Sequence, residues 1–326
     1  MKEISSLAKA YATSANQPAF DAGGFPIKPI EVVAGKPEFW ETLFDEVSIE
    51  FTPGKESEFI IENIVKEQNV PTLPTQMKEN TAGVAILAFM NKTKLDLNGE
   101  FRITIKKGLS IKGTGLGSSG ASAAAGLKAI ENLFEKLSIP NNLSNKDKSN
   151  ILKTADFGVP DNAIPSYFGG LNIIDPKGSR KITSKHKFLF VLTTPKDFGI
   201  PTALAREALK GKSAPNDSEI IIQKAIEAFE EGTVFEYAAN IEKLHDWFVV
   251  PRKKLYPDKI YDKVYATAKN SGSLATTISG AGPTILSIVD NMEVGRKVAQ
   301  MKYNEFKKNG FDSVSRIVTV DYNGAS

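Results

Sequence analysis

The sequence predicts an α+β protein built of two lobes. A chain of 326 residues is longer than a single hydrophobic core usually grows, which favours two lobes. Strand patterns and helix patterns follow one another without the steady alternation of a doubly wound parallel sheet. No internal repeat and no low-complexity linker interrupts them. We therefore expect an N-terminal domain over residues 1–168 and a C-terminal domain over residues 169–326.

In the N-terminal half, Asn80 is a good cap for an apolar helix over 80–92, and residues 101–106 alternate as a half-buried strand does. A glycine-rich stretch over 113–120 follows. It leads into a long helix whose apolar face is formed by Leu127, Ile130, Leu133, Phe134 and Leu137.

The second half begins near residues 168–175, and residues 187–194 form a strongly apolar strand pattern. Residues 276–289 read as two apolar strands joined through glycines. We expect helices at 203–210, 218–231, 234–248, 258–270 and 292–309, and a closing strand at 315–322.

The composition excludes several classes of function. Hydrophobic residues make up 41% and charged residues 24%, as in a soluble globular protein, and no run approaches the ~18 apolar residues of a membrane span. There are no cysteines and only two histidines, which argues against disulfides and against a zinc site. The net charge of +3 is small for a nucleic-acid-binding protein. We expect a cytoplasmic protein that binds a small molecule, with neither nucleic acid nor a membrane as partner.

The stretch GTGLGSSGASAAAG, residues 113–126, is the strongest functional signal. It lies between a strand and a helix, so the first free N–H groups of the helix point into the loop and favour an anion such as phosphate. Ser118 and Ser119 are placed to cap the helix, to donate to phosphate oxygens or to bind Mg²⁺. A glycine-rich helix start without any ligand is the alternative.

The same stretch contains GxGxxG, the dinucleotide fingerprint, through Gly115, Gly117 and Gly120. That fold needs an acidic residue at the end of the next strand, about 20 residues on. Here Glu131 and Glu135 lie on the helix itself, and no apolar strand follows before residue 168. The sequence therefore disfavours a dinucleotide site, and the absence of GxxxxGK[ST] excludes a Walker loop.

The string GLGSSGAS resembles the central phosphate-binding motif of the GHMP kinases, although the usual proline is absent and Gly120 replaces an alanine. Residues 12–24 and 279–288 are similar to the first and third motifs of that family. The resemblance implies a two-lobed fold with an N-terminal nucleotide-binding lobe and a C-terminal ferredoxin-like lobe, and ATP with Mg²⁺ as the nucleotide. It implies that the triphosphate lies against Thr114, Gly115, Leu116, Gly117, Ser118, Ser119, Gly120, Ser279, Gly280 and Gly282.

Three further segments, residues 160–171, 200–209 and 249–257, resemble the homoserine kinase branch of the family. The implied reaction is phosphorylation of the side-chain hydroxyl of L-homoserine, a step of threonine biosynthesis, and dimers are common in this branch. The implied substrate pocket is lined by Asn16, Asp21, Asn162, Thr202, Arg206 and Arg252.

The chemistry of the arginines supports an amino-acid substrate. A guanidinium binds a carboxylate through two hydrogen bonds and an ammonium does not. Only six of the 41 basic residues are arginine, yet both matching positions, Arg206 and Arg252, hold one. A surface ion pair is the alternative for each arginine alone. We expect Asp161, Asn162 and Arg206 to take part in catalysis, with Asp161 either a general base or a turn residue.

The departures from the family pattern concern the substrate and the metal. Asn16 and Asp21 are one residue closer together than in the family motif. The glutamate that usually binds Mg²⁺ upstream of Asn162 is missing, and Asp156 is the nearest acidic substitute. We therefore expect Ser119 and Asp156 to bind the metal ion. Two other functions therefore stay open: a kinase for another hydroxy acid, such as threonine or mevalonate, and a non-catalytic ligand sensor.

Overall fold

A computed structural model of the chain describes residues 3–16, 22–36, 42–64, 73–94, 97–109, 113–156, 160–175, 178–212 and 215–326. The strands are β1 (Ile4–Tyr11), β2 (Thr13–Asn16), β3 (Ala22–Ala34), β4 (Phe44–Pro53), β5 (Glu58–Ile64), β6 (Gly99–Lys106), β7 (Leu171–Asp175), β8 (Gly178–Ile182), β9 (Leu189–Pro195), β10 (Ala275–Ile278), β11 (Ile285–Val289) and β12 (Ser313–Val320). The helices are α1 (Thr81–Thr93), α2 (Ser118–Lys136), α3 (Asn145–Ala155), α4 (Ala163–Phe168), α5 (Thr202–Leu209), α6 (Ser218–Glu230), α7 (Val234–Lys243), α8 (His245–Phe248), α9 (Ile260–Asn270) and α10 (Met292–Lys308).

The smaller sheet lies in the N-terminal half and has the strand order β1-β4-β6-β5. Alternate residues of β4, among them Val47, Ile49 and Phe51, are fully buried, because one face of this sheet packs against α2, which in turn packs against α1. The rings of Phe89 on α1 and Phe134 on α2 meet edge to face at 5.0 Å. The helices α1 and α2 and the strand β6 confirm the elements predicted for residues 80–137.

The larger sheet has the order β10-β11-β9-β12-β3-β7-β8, with β2 paired to β3. Its C-terminal part is ferredoxin-like: β9, a set of helices, β10, β11, α10 and β12 follow in the order βαββαβ, and these four strands are antiparallel neighbours. The predicted α+β class and both lobes are confirmed. Because β2 and β3 join this sheet from the N-terminal half, the division at residue 168 stays a prediction.

One predicted helix, 234–248, is two helices in the structure. The last turn of α7 tightens at Leu244, whose N–H donates to the carbonyl of Ile241 at 3.1 Å. The chain then turns into the short α8, which places the buried Phe248 (4% exposed) against the functional cleft. In the described part of the chain, no helix is long and apolar enough to cross a membrane.

Candidate active site

A cleft of about 630 Å³ runs from the start of α2 to the start of α5. Of the residues that the sequence predicts for the site, it is lined by Thr114, Gly115, Leu116, Gly117, Ser118, Ser119, Asp156, Asp161, Asn162, Thr202, Arg206, Arg252 and Gly280. Residues separated by more than 160 positions in the chain thus share one cleft.

The predicted phosphate-binding loop, residues 113–117, leads into α2, whose N-terminus has no side-chain cap. Gly117 is the N-cap residue of α2, has left-handed backbone angles (φ 58°, ψ 32°) and provides no side-chain cap. The suggestion that Ser118 or Ser119 caps the helix is therefore wrong, because both residues lie inside its first turn. The first N–H groups of α2 are left for a ligand, and the helix dipole makes that position favourable for an anion.

The central and third glycine motifs pack backbone against backbone. A Cβ on Gly115 would lie 2.3 Å from the carbonyl oxygen of Ser279, and one on Gly280 would lie 2.7 Å from the carbonyl oxygen of Gly115. The hydroxyl of Ser279 donates to that Gly115 carbonyl at 3.0 Å. These glycines are required because any side chain here would separate the two loops.

Residues of β2 form hydrogen bonds with both glycine loops and with Asn162 in the cleft. Thr13 donates its backbone N–H to Leu116 O at 2.9 Å and its hydroxyl to Asn162 Oδ1 at 2.6 Å. Ser14 shares a hydrogen bond of 2.9 Å with the hydroxyl of Ser279. Since Asn162 Oδ1 accepts from Thr13, the Nδ2 group of this amide is the side that faces Asp161, at 3.1 Å from Asp161 Oδ1.

Two carboxylates lie at the same end of the cleft as this amide. Asp161 is 6% exposed, and Asp156 ends α3 and accepts from the backbone N–H of Ala163 at 3.3 Å. Burial, and next the charge of Asp161, raise the pKa of Asp156 to about 7, while Arg206 opposes the shift. Asp156 therefore binds its proton far more tightly than an exposed carboxyl group does.

The two arginines reach this cleft from different segments. Arg206 is exposed on α5, whereas Arg252 is 3% exposed and donates to Gly280 O at 3.0 Å and to Ala205 O at 3.4 Å. The guanidinium carbon of Arg252 lies 4.1 Å from the centre of the Phe248 ring. Burial lowers the pKa of Arg252 to about 10, which still leaves it charged at neutral pH. The bond to Ala205 O attaches Arg252 to the residue that precedes Arg206 on α5, and both arginines line the cleft.

Not every predicted residue lines the cleft. Ser279 is fully buried and links the two loops, and Gly282 lies against the hydroxyl of Tyr256. Gly120 allows the start of α4 to approach α2 closely. Asn16 pairs through its main chain with Gly23. Asp21 lies outside the described residues.

Sequence reasoning missed the residues that hold the site together. Lys107 lines the cleft and donates to the buried Asp45, to Ser118 O at 3.0 Å and to Ser122 Oγ at 2.7 Å. This ion pair fixes the first turn of α2, and no motif points to it because its partners are 62 positions apart. Thr13 and Ser14 did have a signal, since they stand directly before Ala15 and Asn16 in the first motif.

Comparisons with known proteins identify relatives of this chain. The family model described as "GHMP kinases N terminal domain" matches residues 80–170. The homoserine kinase of Pyrococcus horikoshii is 33% identical over 224 residues, which cover 65% of this chain and 71% of that protein. The homoserine kinase of Saccharolobus solfataricus is 28% identical over 306 residues, 90% of this chain and 89% of that protein.

Solved structures show the same fold. The crystal structure of homoserine kinase from Cytophaga hutchinsonii matches with a TM-score of 0.79 and 22% identity, covering 99% of this chain and 96% of that one. Mevalonate kinase of L. major, in complex with R-mevalonate, matches with a TM-score of 0.66 and 14% identity, covering 99% and 97%.

The fold and the glycine loops define a small-molecule kinase, and the chain belongs to the GHMP kinase family. Within that family, the chain is similar in sequence to homoserine kinases, among them those of Pyrococcus horikoshii and Saccharolobus solfataricus.

Proposed function

We propose that this chain transfers the γ-phosphoryl group of ATP to the side-chain hydroxyl of L-homoserine and forms O-phospho-L-homoserine. One observation favours an amino-acid acceptor most: the cleft beside the uncapped start of α2 holds both arginines and both carboxylates. The arginines offer paired planar donors to the carboxylate of an amino acid, and the carboxylates make the same cleft favourable for its ammonium group.

The triphosphate is assigned to the loop over residues 113–117 and the start of α2. Free backbone N–H groups and the helix dipole bind its oxygens, and the hydroxyl groups of Ser118 and Ser119 face the same space. The cleft is also lined by four apolar side chains, Leu73, Pro74, Ile105 and Leu109. We assign the purine base to them, because an aromatic ring gains most from an apolar surface.

The acceptor is assigned to the opposite side of the loop. Arg206 and Arg252 bind its carboxylate, and Thr202 at the start of α5 adds a hydroxyl group. The acceptor hydroxyl lies between Asn162 and Asp161. Its oxygen attacks the γ-phosphorus, the bond to the bridging oxygen of ADP breaks, and the hydroxyl proton passes to Asp161. Positioning supplies most of the rate in such a transfer.

The residues present fit a magnesium ion. Ser119 offers a hydroxyl group and Asp156 a carboxylate, the hard oxygen ligands that Mg²⁺ prefers alongside phosphate oxygens and water. When bound, the ion neutralises charge on the β- and γ-phosphates. Because burial and Asp161 raise the pKa of Asp156, Mg²⁺ would bind to this carboxyl group in exchange for its proton.

The direct test is ADP release from Mg-ATP with matched acceptors. We expect L-homoserine to be the best substrate. The decarboxylated analogue 3-aminopropan-1-ol and the deaminated analogue 4-hydroxybutanoate should both be much poorer. A higher kcat/KM with L-threonine or R-mevalonate would reassign the acceptor, and no ADP release with any of them would favour a ligand sensor. The homodimer implied by the resemblance is tested separately, by light scattering.

A further inference from the structure

A buried carboxylate lies behind the start of α2 and takes no part in the proposed reaction. Asp45, the second residue of β4, is 1% exposed. Its Oδ2 accepts from the hydroxyl of Ser122 at 2.6 Å and from Lys107 Nζ, and its Oδ1 accepts from the backbone N–H of Gly108 at 3.0 Å. Because both oxygens accept hydrogen bonds, the direction in which the carboxylate faces Lys107 is fixed.

Lys107 directly follows β6 and lines the active-site cleft together with Ser118 and Ser122 of α2. The ammonium group of a lysine has three N–H donors and no acceptor. Here they bond to the Asp45 carboxylate, to Ser118 O at 3.0 Å and to Ser122 Oγ at 2.7 Å. A phosphate oxygen would therefore have to displace one of these acceptors in order to bind Lys107.

The charges of Asp45 and Lys107 compensate each other beside the helix N-terminus. A lone cation there is unfavourable because of the helix dipole, and a lone anion would repel a triphosphate. The side chains are only 2% and 11% exposed, so water screens the pair little. As a neutral unit, the pair leaves the free N–H groups of α2 to attract the phosphates.

We propose that Asp45 is a positioning residue for ATP, which acts through Lys107. It holds the ammonium group on Ser118 O and Ser122 Oγ as a structural link between β6 and the first turn of α2, and Lys107 is not itself a phosphate ligand. A lysine that bonded to the triphosphate would give the opposite result, because loss of Asp45 would then release a cation toward the phosphates. The inference rests on the proposed place of the triphosphate at the start of α2.

Asp45→Asn decides between these two roles, because removal of a negative charge by itself favours a nearby anion. We expect the Kd for Mg-ATP, measured by calorimetry without an acceptor, to rise roughly tenfold, as for one lost charge-assisted hydrogen bond. The KM for ATP should rise in parallel, and the KM for L-homoserine should stay within twofold. An unchanged or lower Kd for Mg-ATP would overturn the proposal.

The double variant, Asp45→Asn with Lys107→Met, tests the coupling of the two side chains. Once Asp45 is replaced, Lys107 no longer supports α2, so the double variant should bind Mg-ATP about as well as Asp45→Asn alone. Lys107→Met alone should bind more weakly than either, because it leaves the charge of Asp45 uncompensated beside the phosphates. A double variant that binds far more weakly than Asp45→Asn would show that Lys107 bonds to phosphate, and would overturn its structural role.

The neighbouring ion pair provides a matched control. Glu46 and Lys106 follow and precede the two proposed residues on the same segments, and they form an ion pair of 2.8 Å in which the Lys106 side chain is 56% exposed. Lys106→Met should leave the Kd for Mg-ATP within twofold, because an exposed ion pair contributes little. A loss as large as that of Asp45→Asn would show that any charge change at this edge of the sheet weakens ATP binding, and would overturn the specific role of Asp45.

A milder variant covers the case in which Asp45→Asn does not fold, as judged by its thermal unfolding. Ser122→Ala removes one acceptor of Lys107 and one donor to Asp45 from the side of α2. It should still raise the Kd for Mg-ATP, whereas a lysine that binds phosphate would gain a free N–H group and bind ATP at least as well. A folded Ser122→Ala variant with an unchanged Kd would overturn the proposal. If the chain phosphorylated no L-homoserine, the proposed function would fail, and the calorimetric titration would still decide the role of Asp45.

Discussion

At the scale of single residues, the site depends on side chains whose hydrogen-bonding direction is set by their neighbours. Asn162 is the clearest case. Its Oδ1 is occupied by the hydroxyl of the fully buried Thr13, so only its Nδ2 group is presented to Asp161 and the cleft. An amide that presents a donor suits an acceptor hydroxyl or a phosphate oxygen, and it does not suit an ammonium group.

Replacing Thr13 with valine keeps the shape of the side chain and removes this donor. We expect Thr13→Val to lower kcat/KM for L-homoserine about tenfold, the effect of one lost buried hydrogen bond of ~1.4 kcal/mol. The KM for ATP should stay within twofold. Thr13→Ser, which keeps the hydroxyl, should be close to wild type. A fully active Thr13→Val variant would contradict the positioning role.

Ser119 is exposed to the cleft in the first turn of α2. Ser119→Ala should leave the fold intact and lower kcat by roughly two orders of magnitude, since one such group typically supplies ~3 kcal/mol in the transition state. Ser118→Ala should lose less, because the Ser118 hydroxyl already lies 3.4 Å from the Asp45 carboxylate. An unchanged kcat at saturating Mg-ATP would remove Ser119 from the metal site.

At the scale of elements, the start of α2 meets β2 and the residue before α4 at Gly117. A Cβ at this position would lie 2.2 Å from Thr13 Oγ1 and 2.3 Å from Asn162 Oδ1. The glycine is therefore needed twice, for its left-handed backbone and for the close approach of these side chains.

Gly117→Ala tests that contact. We expect the KM for ATP to rise at least tenfold, as the loop shifts to relieve the clash. The matched control is Gly211→Ala. Gly211 also has a positive φ, of 73°, but no atom lies within 4 Å of the added Cβ. The control should bear the same backbone cost and keep full activity. Equal KM values for both variants would show that only backbone strain matters.

Helices and strands could be predicted from the sequence where one apolar pattern continues along the whole element. The helices α1, α2, α9 and α10 and the strands β6, β9 and β12 follow their apolar periodicity. β3 was not predictable in this way, because it contains Pro26 and Pro29 and changes pairing partners along its length. Likewise the glycine motifs reveal the phosphate loop from contiguous residues, whereas the pair of Lys107 and Asp45 exists only in the folded chain.

At the scale of the whole molecule, the C-terminal lobe contains a fully buried lysine. Lys302 on α10 is 0% exposed, and its Nζ donates to Val191 O, Ile285 O and Ser287 Oγ at 3.2, 2.8 and 3.1 Å. Burial lowers the pKa of Lys302 well below its usual value. Its hydrogen bonds satisfy the ammonium group without supplying an opposite charge, so part of the desolvation cost remains.

Lys302→Met, which keeps the length and removes the charge, should raise the melting temperature at pH 7. The unfolded chain holds its lysine proton up to pH 10.5, whereas the folded chain releases it earlier. Between these two pKa values the stability of the wild type rises with pH. The advantage of the variant should therefore narrow as the pH approaches 10.5. A constant difference in melting temperature from pH 7 to pH 10 would contradict the lowered pKa.

The central claim is that Arg206 and Arg252 bind the carboxylate of an amino-acid acceptor. The most direct test measures kcat/KM for wild type and Arg252→Lys with two acceptors, L-homoserine and 3-aminopropan-1-ol. Arg252→Lys keeps the charge and loses the paired planar hydrogen bonds, so it should cost about 2 kcal/mol, or ~30-fold, with L-homoserine. With 3-aminopropan-1-ol, which has no carboxylate, the loss should nearly disappear, and the KM for ATP should be unchanged with either acceptor. Equal losses for the two acceptors would contradict the carboxylate site and leave only the glycine loops to support the assignment.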